Sequence, residues 1–210
     1  RDKAQSSSSY VEGAFVSTHA LSLAGIGLYH LQVELQRVDV ILQRAIQRWQ
    51  IAGQNPEDAF RGLYISDEEA QALVARPLAT SWGQTVVLPA ELEQALARRV
   101  SSLRAEAERV RSDAAAQDRV LPLEHLRNIF GLSRFELDTL LICLAPSLDL
   151  RYERLYGYLQ DDVTKKRPTV NLVLDLLAEP GINRLTALAH FDARSPLLRH
   201  HLVKLGPTPD

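Results

Sequence analysis

"LEHLRNIFGLSRFELDTLLICLAP", residues 123 to 146, joins two apolar-periodic segments through Gly131-Leu132-Ser133. Leu123, Leu126, Ile129 and Phe130 mark the face of a short helix. Gly131 follows where a left-handed residue lets a helix stop. Ser133 then caps a second helix, and Glu136, three residues on, completes a capping box. Leu132 and Leu137 stand at the positions of a hydrophobic staple, which fixes the angle at which the chain enters the second helix. The pattern is a helix-turn-helix, and it poses a choice between reading DNA and building a scaffold. Base reading requires Arg, Lys, Asn or Gln on the first turns of the second helix. This helix opens Arg134-Phe135-Glu136-Leu137-Asp138-Thr139-Leu140. One cation stands beside two carboxylates that would face phosphates, and the rest is apolar. The stretch therefore predicts a buried helix that serves as scaffold.

Downstream, Pro146 is expected to close that helix, and Asp149 to cap a third, "DLRYERLYGYLQDD". Tyr152, Leu155, Tyr156 and Leu159 share one face of it; Arg151, Arg154 and Tyr158 share another. The loop "DDVTKKRP" sits where a wing would lie. It holds the strongest basic cluster, Lys165-Lys166-Arg167, with Asp161 and Asp162 cancelling part of its field. Thr169 caps the amphipathic "VNLVLDLLAE", Pro180-Gly181 breaks it, and two shorter pieces follow.

Upstream, Leu28, Leu31, Leu35, Val38, Leu42, Ile46 and Trp49 recur at steps of three and four, a narrow stripe on one helix. Leu92, Leu96, Val100, Leu103, Ala107 and Val110 form a second such stripe on a charged helix opened by Pro89. The two predict a packed pair, within one chain or between chains and antiparallel if within one, that buries Leu35, Leu42, Leu96 and Leu103. Between them, "FRGLYISDEEAQALVARP" carries a capping box at Ser66 and Glu69, with Ile65 and Ala70 at staple positions. Its helix should end near Ala75, before Pro77. The β-branched "TVVL", residues 85 to 88, reads as a short strand. Residues 1 to 9 are polar and expected to be disordered.

Composition sets bounds. The chain has 210 residues, a formal charge of -2 and an apolar share of 46%. That is enough for a core, with no global attraction to nucleic acid. A single cysteine, Cys143, excludes an intramolecular disulfide; among Leu140, Leu141, Ile142 and Leu144 it reads as a small hydrophobe. Low cysteine usage suits the cytoplasm. No apolar run reaches membrane-spanning length. The six histidines show no metal-ligand spacing, and no phosphate-binding loop is present. No catalytic, cofactor-binding or metal-ligating residue is assigned. The chain starts at Arg1 and contains no methionine, which suggests a piece of a longer protein.

"FRGLYISDEE" at 60 to 69, "FGLSRFELDTLLICLAPSLDLRYERLYGYLQDDVTKKRPTVNLVLDLL" at 130 to 177, and "SPLLRHHLVKL" at 195 to 205 resemble the region ahead of the ATPase module in bacterial AAA+ ATPases. Some members of that group are encoded with phage-tail-like contractile injection systems. The long order "LDLRYERLYGYLQDDVT" followed by "RPTV" is the specific part. The resemblance implies a winged-helix-type, non-catalytic region. ATP, Mg and the hydrolytic residues would belong to a module beyond Asp210, and that module would also drive oligomerisation.

The expected fold is mainly α, with little β. It comprises a poorly defined leader over 1–27, a helical region with long amphipathic helices over 28–118, and a winged-helix-like domain over 119–210. The expected function is a protein-binding adaptor or assembly region without specific nucleic-acid or membrane affinity. A partner, or the protein's own ATPase module, would meet Arg151, Arg154, Tyr158, Lys165, Lys166 and Arg167. The alternative is a winged-helix transcription regulator with a coiled-coil-like dimerisation arm. The acidic, apolar second helix argues against it.

Overall fold

Apolar residues cover two faces of the first long helix, and this decides the architecture. The computed structural model describes residues 23–52, 67–81 and 83–206. Helix α1 spans Leu23–Ile51, beginning ahead of Leu28. Ile26, Val33 and Val40, each seven apart, pack on one side against α3, Ala90–Ala116. Val38 and Leu42 face the other way, into a core built by the C-terminal helices. The expected antiparallel pair is present: Ile26 meets Val110 and Ala114 near the end of α3, while Arg44 reaches Glu93 near its start. Leu96 and Leu103 are buried in that seam, as expected.

The stripe expected on α1 has a different partner. Leu31, Leu35, Leu42, Ile46 and Trp49 pack on the C-terminal core instead of on α3. Leu28 is 65% exposed. A helix with one apolar stripe needs one partner, whereas α1 has two and is sandwiched between them. The narrower set at 26, 33 and 40 completes its perimeter.

Between α1 and α3, α2 covers Asp67–Ala75 and stops before Pro77 as expected. Ser66 and Ile65, half of the expected capping box and staple, lie outside the described residues. The expected strand at 85 to 88 does not form. Thr85 ends a 3-10 turn, Gly83–Thr85, and the following residues lead into Pro89 at the N-cap of α3. Leu88 points into the α1–α3 seam, while Val87 is 89% exposed. No strand occurs among the described residues, so this segment has no edge to pair with.

The C-terminal half contains α4 (Pro122–Phe130), α5 (Arg134–Leu148), α6 (Arg151–Leu159), α7 (Val170–Leu177), α8 (Ile182–Ala187), a 3-10 turn (Leu188–Phe191) and α9 (Pro196–Arg199). Gly131 takes the left-handed conformation that ends α4, with φ 62°. Ser133 and Glu136 form the expected capping box, and Thr169 caps α7 through the Leu172 N–H. Leu132 and Leu137 meet in one cluster with Leu197 of α9.

Two expected boundaries move. Pro146 does not close α5, which runs on to Leu148. A proline cannot donate to the carbonyl four residues back, and that carbonyl, on Ile142, instead accepts the buried Tyr156 hydroxyl at 2.8 Å. The helix continues because α6 supplies the missing donor. Asp149 is not the N-cap residue of α6; Leu150 is. The Asp149 carboxylate still accepts the Arg151 N–H at 2.8 Å, one position displaced from its expected role.

Leu96→Ala is expected to cost roughly 2–5 kcal/mol, the range for emptying a buried leucine site. Leu28→Ala, at an exposed position, should fall within about 0.5 kcal/mol of wild type. Chemical denaturation of both variants checks the two-faced reading of α1.

Candidate functional site

The helix-turn-helix is formed by α4 and α5, and most of the second helix is buried. Glu136, Leu137, Asp138, Thr139, Leu141, Ile142 and Ala145 of α5 are all buried. Two of these are carboxylates, so their partners decide the chemistry. Asp138 receives a two-pronged hydrogen bond from Arg37 of α1, with Nη1 at 3.1 Å from Oδ2 and Nη2 on Oδ1. Arg37 Nε donates to Glu34 at 3.0 Å. Arg134 closes the figure: its Nη1 lies 3.1 Å from Glu34 Oε1, and its Nε 3.1 Å from Asp138 Oδ1. Two carboxylates and two guanidiniums thus alternate in a neutral ring bridging α1 and α5.

The ring is dry on three of its corners. Arg37 is 1% exposed, Glu34 3% and Asp138 6%. Burial pushes Glu34 up, but the hydrogen bonds and charge of Arg134 and then Arg37 outweigh it and hold its carboxyl below the ordinary value of 4.5. Burial also raises Asp138, and there it outweighs the pull of Arg37 and Arg134. Arg134, the one cation available on the second helix for base contact, is consumed by this ring. Glu136 is equally engaged: burial raises it, but hydrogen bonds from Ser133 and the nearby His190 bring it below its ordinary value. The His190 ring, 3.3 Å from Glu136, stacks on Phe135 at 4.6 Å between centroids.

The expected partner surface is brought together around α6 and the following loop, and most of its cations have internal partners. Arg151 pairs with Asp39 at 2.9 Å and lies over the Tyr152 ring. Lys165 lies 3.6 Å from Asp162, and Lys166 3.6 Å from Glu153. Arg167 donates to the Ser147 hydroxyl at 3.4 Å. Arg154 is exposed and has no ion-pair partner among the described residues. Tyr158 is half-buried and packs on the core instead of standing on the surface. The loop has no hairpin. Gln160 holds it, donating to the carbonyls of Lys165 and Arg167 at 3.1 Å each and accepting the Thr169 N–H at 3.0 Å. Gly157 permits this fold-back, since a Cβ there would lie 3.2 Å from the Asp162 carbonyl. Cys143 is partly buried, and burial pushes its thiol up to about 11, away from the reactive range.

A second feature escaped the sequence reading. A cleft of about 410 Å³ opens between α1, α3, α5 and α7 beside the ring. Its walls include Arg44, Arg48 and Arg104 together with Trp49, Val100, Phe135 and Leu176. Gln84 also lines it, and its side chain donates to the Ala178 carbonyl at 3.0 Å and so ties the 3-10 turn to the end of α7. The available signal was the Arg44, Arg48, Trp49 run on the flank of α1, but it needed the position of α3 to become a site. Among the described residues no cluster of three His, Cys, Asp or Glu side chains is arranged to hold a metal, and no helix is long and apolar enough to cross a membrane.

A family model described as a winged helix domain, variant, matches residues 27–210. No curated protein and no solved structure matches the chain.

Glu34→Gln is expected to destabilise the fold at pH 7, by up to roughly 3–5 kcal/mol, because it leaves the buried Arg37 and the half-exposed Arg134 sharing one carboxylate. A carboxyl whose folded value lies below its unfolded one contributes fully above the unfolded value and loses that contribution as pH falls through the folded value. The gap between wild type and variant should therefore be full above 4.5 and shrink below it. Urea titrations across that range measure the gap directly.

Proposed function

We propose, since this chain belongs to the variant winged helix domain family, that it serves as a protein-interaction module and not as a reader of DNA sequence. The observation that carries this is the fate of Arg134. A recognition helix must offer its first turns to the major groove. Here those turns carry a buried carboxylate cap and a guanidinium bound into the ring with Glu34 and Asp138. Freeing Arg134 for a base would leave Glu34 and Asp138 sharing Arg37 alone in a dry site, a cost that base contacts of about 1–3 kcal/mol each would not recover.

The finer reading is an adaptor or assembly region of a larger bacterial AAA+ ATPase working in the cytoplasm. ATP and Mg would bind in a module C-terminal to this chain, and oligomerisation would run through that module. What supports it is the resemblance of residues 60–69, 130–177 and 195–205. On this reading the partner or ATPase module meets the exposed edge of α6 and its loop, through the exposed Arg151, Arg154, Lys166 and Arg167 and the half-buried Lys165 and Tyr158.

Fluorescence anisotropy with selection from a random duplex pool tests the reading at about 0.15 M salt. No sequence should be enriched, and any residual binding should fade as salt rises in the manner of unspecific phosphate contacts. Enrichment of a defined sequence, abolished by Arg134→Ala, would establish the transcription-regulator alternative instead.

A further inference from the structure

The cleft beside the ring holds more hydrogen-bonding capacity than the protein itself satisfies. Arg37, Arg134 and Asp138 on its wall are paired within the ring that Glu34 completes, Asp175 is taken by Arg184, and Glu179, also on the wall, is exposed. Arg44 and Arg48, one turn apart on α1, have only Glu93 between them: Arg44 Nη2 lies 3.0 Å from one carboxylate oxygen and Arg48 Nη2 4.0 Å from the other. Arg104, exposed on α3, has no ion-pair partner among the described residues. The Nε atoms of Arg44 and Arg48 are shut from solvent, so an incoming group meets the partly exposed Nη ends of these side chains.

The guanidinium charge that Glu93 leaves uncompensated describes its own complement. Two guanidinium donors ask for an anionic oxygen, and arginine favours the planar, two-pronged geometry of a carboxylate or phosphate. Inorganic phosphate has no apolar part to bury beside them, whereas a peptide supplies a carboxylate side chain and an apolar side chain on neighbouring residues. Beside these groups the half-buried side chains of Trp49, Val100, Phe135 and Leu176 form an apolar wall suited to a neighbouring aliphatic or aromatic residue.

We propose that this cleft is a docking site for an acidic peptide segment in which a carboxylate side chain stands next to a bulky apolar one. Glu93 occupies part of the place that the incoming carboxylate takes, so it is a built-in competitor. The site lies apart from the α6 face: none of Arg151, Arg154, Tyr158, Lys165, Lys166 or Arg167 lines it. The proposal rests on the protein-interaction reading for the nature of its ligand, though not for its location.

The test uses the full chain and a fluorescein-labelled octapeptide alternating glutamate and leucine, followed by anisotropy. A matched peptide with glutamine for glutamate, inorganic phosphate and a random DNA duplex are the comparison arms. The acidic peptide should bind at least about tenfold more tightly than the glutamine peptide. Arg44→Gln combined with Arg48→Gln should weaken it by about tenfold or more. Glu93→Gln should tighten it, because it removes the internal competitor while keeping an acceptor oxygen; loss of packing would not produce this opposite sign, so the pair of variants remains decisive even if one folds poorly. Failure of the acidic peptide to bind at about 1 mM would overturn the proposal. Binding that neither variant alters would also overturn it, while leaving the protein-interaction reading intact. Displacement of the peptide by duplex DNA, with duplex binding lost in the double arginine variant, would overturn both.

Discussion

Four charged side chains, Glu34 and Arg37 on α1 and Arg134 and Asp138 on α5, set the terms for the rest of this molecule. Taking such groups out of water is expensive, and the expense is met only while every partner is in place. Helix α5 therefore cannot shift by even part of a turn against α1 without stranding a charge. Apolar packing of Val38 and Leu42 against Leu141 and Ile142 provides the attraction between the two helices. The ring provides the register. This division of labour is expected when greasy surfaces could slide while a closed set of hydrogen bonds could not.

The functional consequence follows from which residues the register consumes. A helix-turn-helix is a neutral piece of architecture until one asks where its second helix points. Here the capping box at Ser133 and Glu136 fixes the start of α5, and the ring takes its leading arginine. The helix becomes an internal wall. On the proposed reading, the surfaces left for partners are those at its margins: the edge of α6 with its Gln160-pinned loop, and the arginine cleft between α1 and α3. Both present cations on an otherwise slightly acidic chain, so their fields are local and not part of a global attraction.

Local chemistry was the legible part of the sequence. Gly131, Ser133 with Glu136, Thr169 and the Pro180-Gly181 break act within a few residues, and each boundary they mark is present. Longer-range effects were not legible. Pro146 reads as a stop until Tyr156, ten residues later, supplies the donor that its ring lacks. The stripe on α1 reads as a single face because its second face, at Ile26, Val33 and Val40, is too sparse to stand out. The ring is the clearest case. Arg134 and Asp138 look like surface charges on their own helix, and only α1 shows that Asp138 is interior and Arg134 tied into the ring. Arg44, Arg48 and Glu93 likewise become a site only when α3 lies antiparallel to α1.

Amide hydrogen exchange followed residue by residue tests the central claim most directly. If the ring and the packing beneath it bind α5 to α1 as one unit, the slowest amides of both helices should exchange through the same opening. Their opening free energies should equal the global unfolding free energy and fall together in Glu34→Gln. Exchange of α5 at a markedly lower free energy than α1, unchanged by Glu34→Gln, would mean that the second helix is free to leave its place, and the account would be wrong.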